Sequence, residues 1–197
     1  MSRPVVALFG TSANPPTGEG GHRSILQWLA GASLPELGGR SVREIWVLPV
    51  HRHVFQEKAH MPAFHHRMTM ARLAFGDLAK VRVLPIEAEL HRTVDTPGTV
   101  DLVELLVSRC PELDFVLVLG ADTWADLEAG RWRRGEELRA MLPIVVLQRP
   151  GVELAADGRN LDALQELSST EARTHDLVGV PRLAAAYAEA HGLYTTP

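Results

Sequence analysis

Cysteine is almost absent from this chain of 197 residues, where Cys110 alone carries a thiol. An intrachain disulfide and a cysteine-based zinc cluster are thereby excluded, and a reducing compartment is the simplest setting. No apolar run approaches the length of a membrane span, and the N-terminus lacks a basic stretch followed by a long apolar one. A cytoplasmic location without membrane attachment is the expectation. Charge of one sign is scarce as well: 22% of residues are charged and the net charge is −4, so nothing draws nucleic acid to the surface at large. A phosphorylated ligand would have to be small and held by local groups. No internal repeat is evident. The glycine-rich stretch at 9–22 has no Lys after its glycines and does not read Gly-x-Gly-x-x-Gly, which excludes a Walker loop and the dinucleotide fingerprint.

What is present is apolar content, 46% of the chain, enough for a sizeable core in one domain spanning residues 1–197. Apolar runs at 4–9, 44–50, 81–86, 113–120 and 143–148 have strand length and β-branched content. Helical patterns separate most of them. One helix starts near Ser24, a second carries Met68, Ala71, Phe75 and Leu78, and a third carries Val103, Leu106, Val107 and Cys110 before Pro111 ends it. Strands alternating with helices predict an α/β fold with a mainly parallel, doubly wound sheet covered by helices on both faces. Stretches near 31–42, 91–98 and 149–160 read as loops too short to be linkers.

In such a fold, nucleotides bind where a strand gives way to a helix. Residues 9–22, Phe-Gly-Thr-Ser-Ala-Asn-Pro-Pro-Thr-Gly-Glu-Gly-Gly-His, lie between the strand Val5-Val6-Ala7-Leu8 and the first helix. Gly10, Gly18, Gly20 and Gly21 permit close backbone approach to phosphate oxygens, and Ser12, Thr17 and His22 can donate hydrogen bonds. A Pro/Gly-rich surface loop is the plain alternative. After a later strand, Gly120 leaves room for a ligand and Asp122 can accept from a ribose, or else Asp122 caps a helix. Trp132 beside Arg131, Arg133 and Arg134 offers a flat ring among cations, suited to a pyridine nucleotide, or is an amphipathic Trp at a helix start. Ser168-Ser169-Thr170 followed by Arg173 suits an anion at a helix N-terminus, although Ser168-x-x-Glu171 is equally a capping box.

These segments, taken together, resemble the nicotinate/nicotinamide mononucleotide adenylyltransferase family of the nucleotidylyltransferase superfamily. Asn14-Pro15-Pro16-Thr17 with Gly21-His22 is similar to its signature of small-Asx-Pro, then His/Thr, then Gly-His, but Gly18, Glu19 and Gly20 stand where the family has a single residue. Gly120-Ala121-Asp122 through Trp132, and Ser168-Ser169-Thr170-x-x-Arg173, resemble two further segments, the second residue for residue, and the similarity covers nearly the whole chain.

The resemblance implies a Rossmann-like nucleotidylyltransferase fold. It implies an ATP site at Gly10, Thr11, Ser12, Thr17, Gly21, His22, Gly120, Asp122, Ser168, Ser169, Thr170 and Arg173. Asn14, Lys58, Arg67, Thr99 and Trp132 fall in the mononucleotide set, with Trp132 stacking on the pyridine ring and Thr99 open to an N-cap reading. His22 and Arg173 are the expected catalytic pair.

The remaining histidines do not read as a metal centre, since adjacent residues such as His65 and His66 point about 100° apart on a helix. Mg²⁺ is expected to arrive with ATP rather than in a protein cage. The expected partners are ATP and nicotinic acid mononucleotide, with a homo-oligomer left open. The expected reaction is adenylyl transfer to that mononucleotide. Nicotinamide mononucleotide as acceptor, or a catalytically weak nucleotide-binding or regulatory protein on the same fold, are the alternatives.

Overall fold

The computed structural model of the protein describes residues 2–52, 61–147, 169–174 and 176–194. All five apolar runs form strands of one sheet. β1 (Val5–Thr11), β3 (Arg40–Pro49), β4 (Val81–Val83), β5 (Asp114–Gly120) and β6 (Ile144–Leu147) are mutually parallel in the order β4-β3-β1-β5-β6. A two-residue β2 (Ser33–Leu34) pairs antiparallel with the start of β3, inside a stretch that reads as loop in the sequence. The chain winds outward from β1 to β4 and then returns to the other side of β1 with β5. The strand order therefore reverses between β1 and β5, and this switch point is where ligands of such sheets lie.

β1 shows why the sheet must be covered twice. Val5, Ala7 and Phe9 face one apolar cluster, while Val6 and Leu8 face the other, as the two-residue period of a strand demands. On the first face α1 (His22–Gly31), α2 (Phe64–Phe75) and α8 (Arg182–Ala190) pack. The second face takes α3 (Ile86–Leu90), α4 (Thr99–Arg109), α5 (Ala121–Glu128) and α6 (Gly135–Met141). In α1, Ile25, Leu26 and Leu29 recur at helical spacing and are at most 1% exposed; each contributes roughly 1.5–3 kcal/mol by leaving water. Truncating Leu26 to Ala would cost about 2–5 kcal/mol and loosen the helix that begins with His22.

Three boundaries differ from the sequence pattern. α1 starts at His22 rather than near Ser24. α2 stops at Phe75 because Gly76 follows, so Leu78 packs on the core from a turn rather than from the helix. β4 ends at Val83, since only three of its residues pair with β3, and Pro85 then opens α3. Among the described residues no helix is long and apolar enough to cross a membrane.

Candidate active site

β1 and β5 run in register from Val5 opposite Asp114 to Phe9 opposite Val118, which brings Thr11 and Gly120 side by side at the carboxyl edge. A cavity of about 780 Å³ opens there. Gly10, Thr11, Ser12 and Asn14 from the loop after β1 line it, with Thr17, Gly21 and His22 at the head of α1. Gly120 and Asp122 line it after β5, Thr99 at the start of α4, and Trp132 before α6. Ser169, Thr170 and Arg173 of α7 (Ser169–Thr174) complete the wall. Residues separated by more than 150 positions thus converge on one space. Lys58 and Ser168, expected in the same site, lie outside the described residues, as does the 149–160 loop.

His22 is held at both nitrogens. The Thr17 backbone N–H donates to Nδ1 at 3.1 Å, with the Thr17 hydroxyl 2.7 Å from the same nitrogen, and the His22 N–H returns a bond to that hydroxyl at 2.9 Å. A backbone N–H can only donate, so Nδ1 accepts and the ring proton sits on Nε2. Nε2 lies 3.2 Å from Thr11 Oγ1. Phe9 and Phe75 meet the ring edge to face at 5.9 and 6.3 Å and fix its plane. Thr17, at 1% exposure, therefore orients His22.

The loop is bound to the C-terminal segment by its main chain. Arg173 Nη1 donates to the Asn14 carbonyl, Ser169 Oγ donates to the Pro15 carbonyl at 2.8 Å, and the Gly18 N–H donates to the Gly179 carbonyl at 2.7 Å. Gly18 belongs to the three-residue spacer, and a Cβ placed on it would sit 3.0 Å from the Gly179 oxygen. The longer spacer is a docked segment rather than slack. Asn14 Oδ1 is buried and has no hydrogen-bond partner among the described residues.

At the other end, Gly98 rather than Thr99 is the N-cap of α4, and Asp101 Oδ2 accepts from the Gly98 N–H at 2.6 Å. Gly120 rather than Asp122 likewise caps α5, with Asp122 in the first turn. Neither capping alternative describes the side chain concerned, and both residues face the cavity. The arginines around Trp132 are paired with acids: Arg131 with Asp126, Arg133 with Asp101, and Arg134 with Glu104 at 2.6 Å and Glu137 at 2.7 Å. Trp124 packs in the second core cluster, with Arg139 over its ring at 5.2 Å.

Arg67 departs from the mononucleotide contact that the resemblance implies. It is 1% exposed, lines no part of the cavity, and gives its guanidinium to four main-chain carbonyls. Glu87, in contrast, was not singled out by the sequence. It lines the cavity, accepts from the His51 N–H at 2.9 Å, and burial pushes its carboxyl up to about 7. His91, also at the wall, is shifted below its usual value by burial and by Arg52. The missed signal was α3 itself, hidden where the apolar run at 81–86 reads as strand throughout. Among the described residues no group of three His, Cys, Asp or Glu side chains is placed to hold a metal.

Strand order, switch-point cavity and donor-rich loop define a doubly wound α/β protein of the nucleotide-binding class. No model of a known protein family matches the chain. A curated protein of Anaeromyxobacter dehalogenans strain 2CP-1, described as a probable nicotinate-nucleotide adenylyltransferase, is 33% identical over 192 residues, 96% of each chain. A protein of Salinibacter ruber with the same description is 29% identical over 206 residues, covering 96% of this chain and 97% of its own. The nicotinic acid mononucleotide adenylyltransferase of Plasmodium falciparum, solved with NaAD, superposes with a TM-score of 0.75 over 97% of both chains at 19% identity, a likeness of fold. The chain belongs to the nicotinate-nucleotide adenylyltransferase family.

Proposed function

We infer that this protein transfers the adenylyl group of ATP to nicotinic acid mononucleotide, forming deamido-NAD and pyrophosphate. The observation that carries the reading is the convergence of His22, Arg173 and Trp132 on one cavity, in a chain 33% identical to a relative named for this reaction. The 5′-phosphate of the mononucleotide is already a nucleophile, so an activated side chain is not required. One of its oxygens attacks the α-phosphorus of ATP in line, and the bond to the β-phosphate oxygen breaks to release pyrophosphate.

The protein's task is to bring two anions together. His22 presents an Nε2–H donor that can turn from Thr11 to a phosphate oxygen, the N-terminal end of α1 adds its helix dipole, and Arg173 supplies a planar cation for the triphosphate. Asn14 Oδ1, which has no partner among the described residues, is an acceptor for a ribose hydroxyl of the mononucleotide. Trp132 gives the pyridine ring a stacking face, and Arg131 and Arg133 on the same wall would favour a carboxylate over a carboxamide by exchanging part of their pairing with Asp126 and Asp101 for it. Asp122 and the Ser12 hydroxyl are hard oxygen donors at the cavity, which fit Mg²⁺ entering on ATP phosphates with most of its shell made of water and phosphate. Bound there, Mg²⁺ would supply charge neutralisation of the triphosphate.

Pyrophosphate release, measured with ATP and each mononucleotide in turn, tests the reading. Release with nicotinic acid mononucleotide at the higher kcat/KM is expected. Equal or reversed efficiency with the amide would overturn the substrate assignment, and ATP binding without release would overturn the enzymatic one.

A further inference from the structure

Arg67 is with Phe75 among the largest fully buried side chains of the described residues, yet it does not line the cavity. Its fork spans two loops. Nη1 donates to the Ser12 carbonyl at 2.9 Å and the Val50 carbonyl at 2.6 Å, Nη2 to the His51 carbonyl at 3.0 Å, and Nε to the Pro62 carbonyl at 3.0 Å. Only a rigid guanidinium offers this many diverging donors, and burying it requires that they all be used. From the other side, Glu87 accepts the His51 N–H at 2.9 Å. The turn after β3 is therefore gripped by its carbonyls and by its amide, and through Arg67 it holds the loop after β1.

The grip on Ser12 reaches the chemistry through one peptide plane. The Ser12 carbonyl and the Ala13 N–H belong to the same planar unit, so fixing the oxygen fixes the hydrogen. That N–H donates to Thr11 Oγ1 at 3.0 Å, and Thr11 Oγ1 faces His22 Nε2 at 3.2 Å. Ala13 itself has φ of 48°, a left-handed conformation that a non-glycine residue keeps only where its surroundings impose it. We propose that Arg67 is a positioning residue of the adenylyl-transfer site, orienting the Thr11 hydroxyl against His22 through the Ser12–Ala13 peptide, with Glu87 completing the grip on the turn after β3. The proposal rests on the function inferred above.

The test is steady-state kinetics of R67K, Glu87→Leu and Glu87→Gln, each checked for folding by thermal unfolding. Lysine cannot span the carbonyls, so R67K should lose at least tenfold in kcat, with KM for both substrates within threefold. Glu87→Leu should lose about fivefold in kcat and Glu87→Gln, whose amide oxygen still accepts from His51, should recover to within twofold. A folded R67K with kcat within twofold of the parent overturns the proposal. So does a raised KM at unchanged kcat, which would mean direct contact with substrate. If R67K does not fold, the Glu87 pair decides, and equal kcat in the two variants overturns it. An inactive parent would instead overturn the inferred function; amide hydrogen exchange across residues 10–17 then tests the grip alone, with faster exchange in R67K expected and unchanged exchange refuting it.

Discussion

The two ends of the cavity are held in opposite ways. The end at the loop after β1 is fixed by short bonds to main-chain groups in partly buried surroundings, Thr17 to His22, Gly18 to Gly179 and Ser12 to Arg67. The Trp132 end rests on ion pairs near water. Arg133 and Asp101 have side chains 53% and 16% exposed, and Arg134 and Glu104 are 35% and 45% exposed. Pairs of this kind contribute about 0–1 kcal/mol and weaken with salt, whereas an unmade buried hydrogen bond costs about 1–3 kcal/mol. On the proposed reading, chemistry common to all acceptors falls on the rigid side, and recognition of the pyridine falls on the adaptable one.

The contrast is broken most severely at His22. His22→Ala should lower kcat by roughly 10²–10³-fold with a smaller change in KM, as expected when a donor acts mainly in the transition state. Unchanged kcat would remove His22 from the mechanism.

Glu87 comes next, through stability. Its carboxyl is raised from 4.5 to about 7 in the folded protein, so the folded state binds the proton more tightly, and stability falls as pH rises from about 4.5 to 7. The loss is at most about 3 kcal/mol at 1.36 kcal/mol per pH unit of displacement. His51 and His91, which face it beside Arg67 and Arg52, are shifted below 6.5 by burial and act in the opposite sense, favouring folding as pH rises through that range. The informative quantity is hence the difference in unfolding free energy between parent and Glu87→Gln, measured by denaturant at each pH. A difference independent of pH would refute the assignment.

Arg173→Ala should raise KM for ATP by roughly tenfold or more, since a charge-assisted bond of about 1.5–3 kcal/mol is removed along with the tie to Asn14. Trp132→Ala should raise KM for either mononucleotide by roughly tenfold or less, without altering the preference between them. The smallest effect sharpens the comparison: Asp101→Asn weakens the pair with Arg133, worth about 1 kcal/mol or less. Freed from that acid, Arg133 faces the anionic mononucleotide with its full charge, so the substitution should increase the salt dependence of the mononucleotide KM while leaving the ATP KM in place. Titrating ionic strength in both proteins checks this.

Much of this arrangement was readable in advance, for physical reasons that differ by region. β1, β5 and the second half of β3 are buried on both faces, so their sequences are continuous apolar runs too short for helices. The loop residues at 10–22 were legible because glycines, prolines and a histidine between strand and helix leave few structural alternatives. Arg67 was placed with the mononucleotide by resemblance, and a sequence does not say that four carbonyls wait for an arginine inside the protein. The capping alternatives at Thr99 and Asp122 failed by one or two residues, the scale at which helix ends are decided by tertiary contacts.

The ties between the loop after β1 and the segment at 169–179 join residues 154 and 159 positions apart. Closing so long a loop is unfavourable until the elements between are in place. During synthesis, the early residues leave the ribosome with their glycine loop untethered, and the sheet can assemble strand by strand without it. In the nascent chain the cavity wall thus closes only when α7 and the turn at Gly179 have emerged. Until then most of the sheet would stand without the side that Ser169, Thr170 and Arg173 supply.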